Sequence, residues 1–101
     1  MTRTVDVVIA GGGRDARESA LRALRRGQRV LVVLRCGDSR AAQRLRRWLQ
    51  KNSAAEASQA CIVTNADVVC ADGVDGVEAV VIRHARTGRL WAVNASAFES
   101  Y

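Results

Sequence analysis

Three successive glycines, Gly11-Gly12-Gly13, stand between an apolar run and a helical pattern. That placement suits the binding of a diphosphate. The first turn of a helix carries backbone N–H groups with no intrahelical partner, and the aligned peptide dipoles add partial positive charge there. A chain that leaves a strand, turns on glycines and enters a helix aims those groups at an anion. Gly11 allows the tight bend, Gly13 lets the backbone approach the phosphates, and a small residue at Ala16 lets the helix sit close on the strand. Asp15 favours the helix dipole from the first turn, although the same charge would repel a bound diphosphate.

A second set of candidates follows the next apolar run. Arg35 and Arg40 flank the segment Cys36-Gly37-Asp38-Ser39. An acid at such a strand tip would accept hydrogen bonds from ribose hydroxyls, and Leu34-Arg35 supplies none. A guanidinium there suits a 2′-phosphate, which it binds in a planar, bidentate way. The pair therefore leans to NADP(H) over NAD or FAD. The candidate cofactor-binding residues are Gly11, Gly12, Gly13, Arg14, Asp15, Ala16, Glu18, Arg35 and Arg40. Asp38 reads as a helix cap. No catalytic set stands out: His84 has no paired nucleophile, no two carboxylates pair, and no spacing fits a metal.

The elements that must position these residues are legible from periodicity. Residues 5–10 form a short, β-branched strand pattern. Residues 14–26 read as a helix whose apolar face is built on Ala16, Ala20, Leu21, Ala23 and Leu24 and which Gly27 ends. Glu18 is expected to pair with Arg22 and Arg25 at helical spacing. Residues 29–34 are a second apolar strand, of the kind covered on both faces. A second helix is expected from Asp38 or Ser39 to about Lys51, with Ala42, Leu45, Trp48 and Leu49 buried. Arg44, Arg46 and Arg47 should face water, and residues 52–59 read as a loop or frayed end. The period then changes to two. Strands are expected at 61–64, 67–71, 77–83 and 89–94, with turns at Asp72-Gly73 and Thr87-Gly88. Trp91 and Phe98 are expected to pack on the sheet. The fold class is α/β: a Rossmann-like three-layer unit, a βαβαβ parallel sheet with an antiparallel β-meander covering one face.

Composition narrows the function classes. The chain has 101 residues, which predicts a single domain. The net charge is +6 and almost all of the excess is arginine, with Lys51 the only lysine. The arginines are spread along helix faces and no aromatics interleave with them, which argues against nucleic acid. No long apolar run predicts a membrane span and no signal peptide is evident, so a cytoplasmic location is expected. Cys36, Cys61 and Cys70 lie far apart and read as free thiols.

The motifs resemble those of one family. The pattern GGGxxAxExA, here Gly11 through Ala20, is similar to the glycine motif of the NADPH-binding domain of thioredoxin reductase and related flavoprotein oxidoreductases. The family's HRRxxxR is half matched by Leu34-Arg35-Cys36 through Arg40. Thr64-Asn65, Asp67 to Cys70, Gly76 to Val80 and Thr87-Gly88 look like its meander. Ala97-Phe98 looks like the start of the family's returning strand, cut short, which would leave an open sheet edge for a homodimer or partner protein. The resemblance covers residues 5–98 and implies a module that binds NADP(H) and serves a separate redox partner, since no flavin domain and no CxxC are present. Two alternatives stay open. One is an FAD-binding N-terminal segment. The other is an interaction domain that has lost its cofactor, with Arg14, Asp15 and Arg17 crowding the helix start.

Overall fold

A computed structural model describes residues 3–35, 39–53, 59–73 and 76–101. Eight strands and two helices follow in the order β1 (Arg3–Thr4), β2 (Val7–Ala10), α1 (Arg14–Arg25), β3 (Val30–Leu34), α2 (Ser39–Ser53), β4 (Ala60–Thr64), β5 (Ala66–Asp72), β6 (Ala79–His84), β7 (Leu90–Asn94) and β8 (Ala97–Ser100). One sheet is wholly parallel, in the order β4-β3-β2-β8, and the other runs β1-β7-β6-β5. The second sheet is the expected meander, antiparallel across β5, β6 and β7, with β1 added in parallel beside β7.

Alternation along the parallel strands sends side chains to two cores. Val7, Ile9, Val30 and Val32 face the helices and pack with Ala16, Ala20, Leu24, Leu45 and Leu49. Val8, Leu31 and Val33 face the meander and pack with Val80, Ile82 and Val93. A strand covered on both faces must be apolar throughout, and all five residues of β3 are buried. The alanines of α1 let the helix lie close on this sheet. Trp48 is half-buried against the helix-side core, and Trp91 and Phe98 against the meander-side core.

The structure corrects several boundaries. Residues 5–10 are not one strand. Thr4 belongs to the meander sheet and Val7 to the parallel sheet, and the chain crosses between them at Val5 and Asp6. The Asp6 carboxylate fixes that crossing by accepting the Arg29 N–H at 2.6 Å. α2 continues past Lys51 to Ser53. Glu18 pairs backward with Arg14 at 3.3 Å, not forward with Arg22 and Arg25. The returning strand is also not cut short. Ala97–Ser100 pairs in parallel with all four residues of β2, so the sheet edge lies at β8 rather than at β2. The Ser19 hydroxyl, buried on α1, donates to the Glu99 carboxylate and ties β8 to the helix. Cys61 is a half-buried free thiol and Cys70 an exposed one, whereas Cys36 and Asp38 lie outside the described residues.

Candidate functional site

The glycine turn sits at the carboxyl end of β2, and the three glycines meet different surroundings. Gly11 has φ +135°, and the Gly11 N–H donates to the Val33 carbonyl at 3.0 Å, which pins the turn to β3. A Cβ on Gly11 would stand 3.0 Å from the Tyr101 carbonyl oxygen and 3.5 Å from the Ala16 Cβ. Glycine there, and the buried small Ala16 beneath it, answer to packing. A Cβ on Gly12 would stand 2.9 Å from Leu34 Cδ2. Gly13 is different. Its φ is −77°, open to any residue, and a Cβ there would meet no atom of the described residues within 4 Å.

The start of α1 carries no side-chain cap. Among the described residues the N–H groups of Gly12 and Gly13 have no hydrogen-bond partner. Orphan donors at a helix start are satisfied by caps, water or ligands. Arg14 and Arg17 do not fill the space. Arg14 is exposed and drawn toward Glu18. The Arg17 guanidinium lies over the Trp48 ring, 5.1 Å from its centroid. Asp15 is exposed in the first turn.

Two clefts open on opposite sides of this turn. The first has a volume of about 320 Å³ and lies toward the meander, with Gly11, Arg35, Asp67, Phe98 and Tyr101 among its walls. The second, of about 270 Å³, lies toward the helices and is lined by Gly12, Arg17, Leu34, Ala41, Arg44 and Leu45. Arg35 therefore reaches the meander-side cleft beside the glycine turn. Arg40 is exposed on the first turn of α2 and lines neither cleft. The two arginines selected from the sequence are not brought together in one cleft.

Other residues enter that sequence reasoning did not select. Phe98 and Tyr101 wall the first cleft because β8 completes the sheet. Asp67 stands there too, with one carboxylate oxygen 3.2 Å from Arg83 and the other buried without a partner. Arg44, assigned to water, is exposed but also lines the second cleft. His84 is half-buried, its Nδ1 3.4 Å from the Thr87 hydroxyl. Among the described residues no group of three His, Cys, Asp or Glu could hold a metal, and no helix is long and apolar enough to cross a membrane.

With this geometry in place, the chain can be set beside known proteins. No protein-family model matches it, and no curated protein matches its sequence. Solved structures do match. The thioredoxin reductase of Streptococcus pyogenes superposes with a TM-score of 0.73 at 25% identity, over 99% of this chain and 31% of that one. The fold is one that thioredoxin reductases contain. The enzyme from Lactococcus lactis gives 0.71 at 21% identity, over 99% of this chain and 32% of that one. The myxobacterial chondrochloren halogenase, a variant of the FAD-dependent halogenases, gives 0.69 at 11% identity, over 97% of this chain and 37% of that one. The chain spans about a third of the length of these proteins. The α/β, Rossmann-like architecture expected from the sequence is thus the architecture observed.

Proposed function

We propose that residues 1–101 act as one dinucleotide-binding domain, with NADP(H) preferred, of the kind found in thioredoxin reductase-like oxidoreductases, and that it serves a separate redox partner. The observation that carries this is Gly13. No described residue requires a glycine there, yet its missing side chain leaves the described surroundings of an uncapped helix start open. A diphosphate in that space would accept from the free N–H groups of Gly12 and Gly13 and lie at the positive end of the α1 dipole. Arg14, Asp15 and Glu18 are the proposed rim. Arg35, at the tip of β3, is the proposed contact for a 2′-phosphate, and Arg40 a more distant one. The bound dinucleotide would supply hydride chemistry, and the chain's own residues would bind and orient it.

The preference is tested by calorimetry with NADPH, NADH and FAD. NADPH is expected to bind most tightly. Arg35→Ala should weaken NADPH by about 1.5–3 kcal/mol, the size of a hydrogen bond to a charged group, and leave NADH nearly unchanged. Absence of binding by all three at millimolar concentration would overturn the assignment. FAD is the second reading, because an FAD-dependent halogenase shares the fold. A flavin absorption band in the purified protein would move the assignment there. A turn blocked by the Arg14 or Arg17 side chain would favour a domain that has lost its cofactor; Arg14 instead pairs with Glu18 and Arg17 lies over Trp48.

A further inference from the structure

The helix-side cleft asks for an occupant of its own. Two of the six described residues that line it are arginines, one from each helix, and no carboxylate among the described residues lines it. Neither Arg17 nor Arg44 forms an ion pair with a described residue. Arg17 is half-buried, and its Nε is shielded from solvent without a hydrogen-bond partner. A partly buried charge with no counter-charge is costly, and its cost falls when an anion joins it.

The geometry of Arg17 is already set for such a ligand. Its guanidinium carbon lies over the Trp48 ring, 5.1 Å from the centroid. A guanidinium drawn to an aromatic ring keeps its N–H donors, in the planar fork that matches two oxygens of a phosphate. Trp48 therefore holds Arg17 in place, and less rotamer freedom is lost on binding. Leu34, Leu45 and Ala41 form an apolar floor, which lowers the local dielectric and strengthens the attraction. The surroundings add to it: α2 carries Arg40, Arg44, Arg46, Arg47 and Lys51 and no acid.

We propose that this cleft is a binding site for a phosphate monoester, held by Arg17 and Arg44. The phosphate is that of a separate phosphorylated small molecule, because the extra phosphate of a dinucleotide at the turn is assigned to Arg35 in the opposite cleft. The chemistry is a dianion between two guanidinium groups. The cleft would bind it whether or not a dinucleotide occupies the turn.

Trp48 provides the readout. In a Trp91→Phe background, with the second tryptophan removed from the meander, emission reports Trp48 alone. Titration with inorganic phosphate at constant ionic strength should shift that emission saturably, and chloride should not reproduce the shift. Arg44→Gln should weaken the response roughly tenfold or more, as expected for loss of a charge-assisted contact, with the circular dichroism spectrum retained. Arg17→Lys, which keeps the charge but loses the fork, should weaken it as well, with the Arg17 N–H resonances of the parent chain moving on phosphate addition. Response to NADP at lower concentration than to phosphate, with none to NAD, would place the dinucleotide's own phosphate in this cleft and overturn both the separate ligand and the Arg35 assignment. Equal response to NADP and phosphate would assign the cleft to a separate ligand. A response unchanged in Arg44→Gln, or matched by chloride, would overturn the site. If phosphate binds here while NADPH, NADH and FAD all fail in calorimetry, the dinucleotide assignment falls and this site stands.

Discussion

The two faces of the parallel sheet are built from different materials. The helix face packs alanines and leucines of α1 and α2 onto Val7, Ile9, Val30 and Val32. The meander face packs mostly β-branched residues, such as Val80, Ile82 and Val93, onto Val8, Leu31 and Val33. Charge divides the same way. The two helices carry nine cations against two carboxylates, whereas residues 66–94 carry three against four. The net charge of the chain is therefore a property of its helical layer. Both clefts beside the glycine turn follow this division: one arginine and one carboxylate, Arg35 and Asp67, among apolar and aromatic walls toward the meander, and two arginines without a described carboxylate toward the helices.

The largest effects should come from truncating each core in turn. Leu24 and Ile82 are both fully buried, one on each side of the sheet. Leu24→Ala and Ile82→Ala should each cost about 2–5 kcal/mol in urea unfolding. If the two faces form one cooperative unit, each variant will show a single transition. A second transition in Ile82→Ala alone would mean that the meander unfolds separately, and would break the comparison.

The glycine turn lies where the faces meet, and its residues should respond differently. Gly11→Ala forces a positive φ on an L residue and presses on the Tyr101 carbonyl. It should cost about 1–3 kcal/mol of stability. Gly13→Ala should change stability by only about 0.5 kcal/mol. Its effect belongs to binding: NADPH affinity should fall while the melting temperature holds.

Smaller effects sharpen the contrast between ties and bare charge. Ser19→Ala removes the hydroxyl that holds Glu99 on β8, and should cost about 1 kcal/mol in thermal or urea unfolding. Arg46→Gln, on the exposed side of α2, should stay within about 0.5 kcal/mol, because solvated charges contribute little singly. A large gain in stability from Arg46→Gln would show that repulsion within the helical layer is stronger than its exposure implies.

What could be read from the chain follows the range of the interactions involved. Helix α1, strand β3 and the glycine turn are local: their periodicities and the positive φ of Gly11 and Gly27 are written in adjacent residues. The split of residues 5–10 is not local, because it depends on Thr4 reaching Asn94 and Val7 reaching Val30. β8 was legible only as the beginning of a strand. Its polar residues Glu99 and Ser100 look unlike a buried strand, and it exists because β2 offers a free edge. The candidate site divides likewise. Gly11 and Ala16 pack together as their spacing suggests. Arg17 and Arg44 meet only because α1 and α2 lie side by side, and neither position signals this in one dimension. Arg35 and Arg40 looked like a pair for the opposite reason: nearness in sequence set them together, while the start of α2 carries Arg40 away from the cleft that Arg35 lines.

The central claim is that the bare amides at the start of α1 hold a diphosphate. The most direct test is an amide chemical-shift titration of the labelled chain with NADPH, run beside Gly13→Val. The Gly12, Gly13 and Asp15 amides should move saturably in the parent chain and stay still in the variant. If those amides remain in place at millimolar NADPH, or move alike in both proteins, the claim is contradicted.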